Sequence, residues 1–185
     1  MNYKIIRSDR KTVALQIKDG EIVVRAPRKM RDAEIEKFVS NNSAWIQKQL
    51  KKAANTPKLP TLSPAELDAL TQKATEAIPP RVKYYAARLG VTYDRITIRH
   101  QRSRWGSCSS KGNLNFNCLL LLTPVEVIDS VIVHELCHRK QMNHSDAFYA
   151  EVLRVFPEYH KWTAWLKQNG TALIKRLPKN KEKTK

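Results

Sequence analysis

Cysteine is scarce in this chain of 185 residues: the three present, Cys108, Cys118 and Cys137, are odd in number and never form a C-x-x-C pair. A disulfide framework is not indicated, and reduced thiols are expected. Long apolar runs are missing too. The longest strongly apolar block, Cys118 to Leu122, is far too short to span a bilayer, and Met1 to Arg10 mixes polar and apolar residues without the pattern of a secretory leader. A cytoplasmic protein with no membrane partner is the expectation. The five glycines never assemble into G-x-x-x-x-G-K-[ST], so no phosphate-cradling P-loop is present. Acidic residues are the last shortage, 17 Asp and Glu against 34 Lys and Arg, for a formal net charge of +17.

That surplus raises the expectation of an acidic partner such as a nucleotide, nucleic acid or anionic surface. It is uneven: +8 over residues 1–60, +5 over 61–123, −1 over 124–170 and +5 over 171–185. Hydrophobic residues at 42% and four Trp supply enough apolar surface for a globular core.

Tyr3 and Ile5, then Val13, Leu15 and Ile17, then Ile22 and Val24 alternate with polar residues, with Asp19-Gly20 as a turn between the last two runs. Three antiparallel strands are predicted. From Asp32 the apolar period lengthens through Ile35, Phe38, Val39, Trp45, Ile46 and Leu50 to that of a helix, followed by a linker at Asn55 to Pro60. Ser63, Pro64 and Glu66 form a capping box at the start of a second helix, which Pro79-Pro80 should interrupt and Gly90 should close. Strands are predicted over Val91 to Ile98 and Asn113 to Leu119, the latter with Leu114, Phe116 and Cys118 on its packed face and Asn113, Asn115 and Asn117 exposed. Thr123, Pro124 and Glu126 repeat the cap signal, so a helix should run from Pro124 past His138. Its Val and Ile leave little polar face, which suits a buried helix. Helices at Ser145 to Phe156 and Pro157 to Gln168 complete the chain before Gly170, and no internal repeat is visible. The fold class is therefore α+β: a small, mainly antiparallel sheet around a buried helix with flanking helices, plus a strand-rich N-terminal lobe. The expected division is residues 1–58, residues 59–176, and a basic, disordered tail over 177–185.

Within the apolar helix lies His134-Glu135-Leu136-Cys137-His138, an H-E-x-x-H match. At helical pitch the two histidines stand about 40° apart around the axis and one turn along it, so both imidazoles reach one ion. Glu135, about 100° from His134 around the axis, sits beside the ion, placed to take a proton from water. Unpaired burial of these groups would cost several kcal/mol, and metal coordination satisfies them directly. His144, where a helix break is expected, is the candidate third ligand; His100 and His160 stand apart. Three neutral imidazoles with an open fourth position describe a catalytic zinc arrangement, one Zn2+ per chain.

At this point the sequence resembles the YgjP-like metal-dependent hydrolases, related to the WLM and SprT-like zinc metallopeptidases. The likeness is strongest from Arg102 to about Leu166: Arg104-Trp105-Gly106-Ser107-Cys108, Gly112 with Leu114 and Asn117, Pro124, Val127-Ile128-Asp129, His134 to His138, and His144-Ser145 with Phe148. The resemblance implies zinc held by His134, His138 and His144, Glu135 as general base and acid, and a minimal zincin-like arrangement of helices and sheet. Metzincins carry a Gly three residues after the second His and a later Met-turn, whereas here that position is Gln141 and no Met follows Met142.

Peptide hydrolysis is the leading reading. In it, an extended substrate lies along the Asn113 to Asn117 strand, with Arg102, Arg104, Asn115 and Asn117 as candidate substrate contacts. Two alternatives stand beside it. One is a metal-dependent nucleotide pyrophosphatase, with Arg102 and Arg104 gripping phosphates. The other is a nucleic-acid-associated protease or binding platform, touching nucleic acid nonspecifically through its basic surface.

Overall fold

The computed structural model describes residues 2–18, 20–55 and 59–178. The chain divides into two compact units, Met1–Lys58 and Leu59–Lys185.

In the first unit, strands β1 (Lys4–Ser8), β2 (Ala14–Lys18) and β3 (Glu21–Pro27) precede helices α1 (Asp32–Asn41) and α2 (Ser43–Ala54). β2 and β3 form the expected antiparallel hairpin, with Leu15 opposite Val24. β1, however, pairs with the far side of β3 in parallel, giving the order β1-β3-β2. The three-strand antiparallel expectation fails there because alternation reports which face is buried and carries no strand direction. Ile22, Val24, Ala26, Ile35, Val39 and Ile46 make the core of this unit.

The second unit opens with α3 (Pro64–Leu89), then strands β4 (Ile96–Arg99), β5 (Gly106–Cys108) and β6 (Leu114–Asn117), a 3₁₀ turn at Cys118–Leu122, and helices α4 (Val125–Cys137), α5 (Asp146–Val155) and α6 (Tyr159–Lys175). The capping box forms as read: Ser63 Oγ accepts from the Glu66 amide, and the Glu66 carboxylate accepts from the Ser63 amide. Gly90 closes the helix at φ 67°. Pro79 and Pro80 do not interrupt α3. Ala74, Ile78, Val82, Ala86 and Leu89 form one buried stripe that runs straight through them. Packing of that stripe holds both halves in line against the missing hydrogen bonds.

The second sheet has the order β4-β6-β5, with β4 parallel and β5 antiparallel to β6. Each small sheet is thus mixed, not mainly antiparallel. β6 is central and flanked on both sides, so no peptide can add to it, and the reading of Asn113 to Asn117 as a substrate rim is corrected. Leu114 and Phe116 are buried as predicted, but so is Asn117. The predicted strand also ends early, because residues 118–122 coil into the 3₁₀ turn, started by the Asn117 side chain accepting from the Leu119 amide.

α4 is buried along nearly its whole length, from Val127 to Cys137 with His134 half-buried. Its cap is Pro124, one residue later than read, because Thr123 Oγ1 turns back to the Leu120 carbonyl. α3 and α4 are riveted by Asp129, which accepts from Arg81 Nη2 at 2.6 Å and from the Tyr85 hydroxyl at 2.9 Å. The ion pair holds the Arg81 guanidinium above its ordinary pKa. α6 runs on through Gly170, which is buried and faces the indole of Trp105. Gly170 is a packing site and not the helix end predicted. Leu177, read as the start of the tail, is buried, and its carbonyl accepts from Arg102 at 2.8 Å. The rest of that tail from 179, like linker residues 56–58, lies outside the described residues. No described helix is long and apolar enough to cross a membrane.

Candidate metal centre

α4 delivers His134 and Glu135 near its C-terminus, and His138 is its C-cap residue. The chain then turns through Arg139 to Gln141 and reaches His144 just before α5, whose N-cap Ser145 accepts from the Phe148 amide. This returns His144 to the other two. One nitrogen from each of His134, His138 and His144 lies within 4.8 Å of the others. His134 Nε2 and His144 Nε2 are 3.1 Å apart.

The fit to a small divalent cation can be judged from those distances. A tetrahedral ion with metal–nitrogen bonds of about 2.0–2.1 Å needs nitrogens roughly 3.4 Å apart. The trio brackets that separation, and its neutral nitrogen donors suit zinc. The outward nitrogens of two ligands are already held. His134 Nδ1 meets the Tyr159 hydroxyl at 2.7 Å, and His138 Nδ1 meets the Gln141 carbonyl at 3.0 Å. The Gln141 carbonyl can only accept, so it fixes His138 with the proton on Nδ1 and Nε2 free to coordinate, while the Tyr159 hydroxyl orients the His134 ring. Phe148, fully buried, packs against all three imidazoles at centroid distances of 4.8–5.0 Å and forms the apolar floor of the site.

The electrostatics agree with metal binding. Burial pushes His134 down to about 4, helped by the neighbouring His138 and His144. His138 is also lowered by burial. Both rings are therefore neutral and ready to coordinate near neutral pH. Burial raises Glu135 to about 8, with Arg104 pulling it partly back. Tyr159 is pushed up to about 12 by burial, so its hydroxyl keeps its proton.

Glu135 is 6% exposed and lies against β5. A methyl group on Gly106 would fall 2.6 Å from Glu135 Oε1 and 2.7 Å from its Cγ, so only glycine lets the strand approach this closely. The β5 loop is fixed in turn by Arg139, which follows the ligand helix and donates to the carbonyls of Thr92 and Ser110. Gly112, at φ 85°, fits beneath that guanidinium. His134 and Glu135 open onto a cavity of about 290 Å³ that is also lined by Arg104, Trp105, Tyr159 and Leu166.

The structure thus brings together His134, Glu135, His138 and His144, with Arg104 on the cavity wall. The other candidate substrate contacts are engaged elsewhere. Arg102 donates to the carbonyls of Leu177 and Pro178. Asn115 bridges Ser107 Oγ and Arg99 Nε within the sheet. Asn117 is buried and donates to the carbonyls of Gln101 and Arg104, shaping the loop that carries Arg104 and Trp105. Sequence reasoning gave no role to Tyr159 or Gly106, because each acts through a residue distant in the chain, nor to Phe148, whose aromatic ring reads as ordinary core. For Tyr159→Phe we expect zinc affinity to fall about 10–100-fold with the fold retained; competition with a chromophoric chelator measures it. Unchanged affinity would mean that the hydroxyl does not orient His134.

Among curated proteins none matches the chain. Among solved structures it is similar to the metallopeptidase zymogen abylysin of Pyrococcus abyssi, at 24% identity and TM-score 0.44, over 50% of this chain and 97% of that one. It is also similar to the metallopeptidase zymogen jannalysin of Methanocaldococcus jannaschii, at 23% identity and TM-score 0.45, over 49% of this chain and 94% of that one. Residues 11–69 and 59–169 match the family described as "YgjP-like, metallopeptidase domain". With most of its length so matched, the chain belongs to the YgjP-like family and carries its metallopeptidase domain.

Proposed function

We propose that the protein is a zinc-dependent peptidase in which His134, His138 and His144 hold the metal and Glu135 moves the proton. The observation that carries this reading is the convergence of three imidazole nitrogens within 4.8 Å beside a buried carboxylate that does not join them. Zinc bound there would act as a Lewis acid toward a carbonyl oxygen and would acidify water. Glu135 accepts the proton of the attacking water and returns it to the departing amine nitrogen, as a general base and then a general acid. Burial raises its pKa to about 8 in the protein without metal, and a cation bound by the histidines would draw it back down.

Peptide is the favoured substrate because of β5. Among the described residues this strand pairs on one side only, with β6. Gly106 on it touches Glu135, so an extended peptide added to its open edge passes the proton carrier. That edge replaces β6 as the substrate rim.

The test is a peptide library incubated with the purified, zinc-loaded chain. Cleavage should be abolished by 1,10-phenanthroline at about millimolar concentration and restored by about one equivalent of zinc. Cleavage that survives complete metal removal would overturn the reading.

A further inference from the structure

The cavity at His134 and Glu135 is one end of a longer depression. It shares Ser103, Arg104, Trp105 and Leu166 with a second cavity of about 290 Å³ that continues along α6 past Lys167 to Ile174. Trp105 is the common wall, seated on Gly170, where a methyl group would lie 3.0 Å from the indole. The second cavity is lined by three cations, Arg102, Arg104 and Lys167, and by no carboxylate.

Their states differ. Arg102 is committed to the Leu177 and Pro178 carbonyls. Arg104 and Lys167 have no hydrogen-bonded or ion-paired acceptor among the described residues. Four other cations of this unit are ion-paired, Arg81 with Asp129, Lys140 and Arg154 with Glu151, and Lys161 with Glu158; what sets Arg104 and Lys167 apart is that they face one cavity together. The mismatch follows from the sequence, which has no Asp or Glu between Asp94 and Glu126, and none between Glu158 and Glu182. Those two acid-free stretches supply the lining of the second cavity. Arg104, which acts on Glu135 from the adjoining cavity without an ion pair, and Lys167 concentrate positive potential in a concave space beside the proton carrier.

We propose that this second cavity is a carboxylate subsite: Arg104 and Lys167 receive a carboxylate of the substrate as it lies across Trp105. The proposal rests on the peptidase reading and narrows its substrates to peptides carrying an acidic group close to the scissile bond. Arg104 offers the planar fork that fits a carboxylate, and Lys167 a mobile point charge. The carboxylate has two sources, an acidic side chain or the chain terminus.

The test reads binding, so that it does not depend on turnover. Fluorescein-labelled peptides of one sequence, with Glu or Gln at each position in turn and with a free or amidated C-terminus, are titrated by fluorescence polarisation into zinc-loaded Glu135→Gln protein. Glu peptides should bind more tightly than Gln peptides. Arg104→Gln and Lys167→Gln should each reduce that preference roughly fivefold, the upper range for an exposed ion pair, and high salt should reduce it further. Lys73→Gln, on the exposed face of α3, should leave the preference intact. A preference that follows internal Glu assigns the side chain, and one lost on amidation assigns the terminus; either supports the subsite. Equal binding of Glu and Gln peptides with both termini overturns it. So does tighter binding of a nucleoside triphosphate or an oligonucleotide with the same Arg104 and Lys167 dependence. Failure of the native enzyme to cut any peptide, with this preference intact, would count against the peptidase reading alone.

Discussion

Replacing Glu135 by Gln is expected to lower peptide turnover about 10²–10⁴-fold while leaving zinc content and affinity unchanged. The side chain is not one of the converging donors, so its loss removes the proton carrier without opening the metal site. The amide is nearly the same size and keeps the contact with β5. Turnover within a fewfold of the native enzyme would eliminate Glu135 as the general base.

The same substitution has a second signature in the metal-free protein, and its sign is fixed by the site. Glu135 titrates at about 8 when folded against 4.5 in its unperturbed state, chiefly through burial. A carboxyl whose folded pKa is raised supports the fold fully below pH 4.5, and that support is lost as pH rises to about 8. Above this window the native chain carries a buried charge that Gln lacks. Glu135→Gln should therefore be more stable than the native chain at pH 8.5, by an amount on the order of a few kcal/mol, with the difference vanishing near pH 4. His134 acts in the opposite sense. Its folded pKa of about 4 lies below the ordinary 6.5, so stability is lost as pH falls from 6.5 to 4. That contribution is common to both chains and cancels in the comparison. Thermal denaturation in the presence of EDTA measures the difference across pH, and superimposable curves would show that Glu135 is not buried as described.

What the sequence disclosed and what it concealed divide along a physical line. His134, Glu135 and His138 could be placed because one helical turn fixes their relation, and Ser63 and Gly90 because caps are local. His144 was reachable through the short turn that must follow His138. The β2–β3 hairpin was legible from its short turn, but the partner of β1 was not: it alternates like any strand, and nothing within Lys4–Ser8 says that it runs parallel to β3. Asn117 looked solvent-facing by its chemistry, yet its amide organises the Arg104 loop from inside. Pro79-Pro80 misled because a local breaker was outweighed by a stripe of buried side chains from Ala74 to Leu89. Tyr159 stands 25 residues from His134, and Gly106 stands 29 before Glu135. Such pairs come together only through the packing of α6 and β5 against α4, which no single window of sequence contains.

Gly106 is the most economical place to test that packing. Its backbone is not in the left-handed region, so alanine there introduces no conformational strain. The only consequence is the collision of its methyl group with Oε1, Cγ and Cδ of Glu135, at 2.6, 2.7 and 2.9 Å. Because Glu135 opens onto the cavity, the clash is relieved by shifting the carboxylate into that space, and a displacement of about 1 Å costs roughly 10²-fold in rate. Gly106→Ala should therefore lose turnover by about that factor while the three histidines bind zinc as before, with melting temperature little changed. In the Glu135→Gln background the same change should cause almost no further loss, because the group it displaces no longer carries the proton. If Gly106→Ala retains full turnover, or if its loss multiplies independently with that of Glu135→Gln, the strand does not position the carboxylate and the assignment of Glu135 loses its structural support.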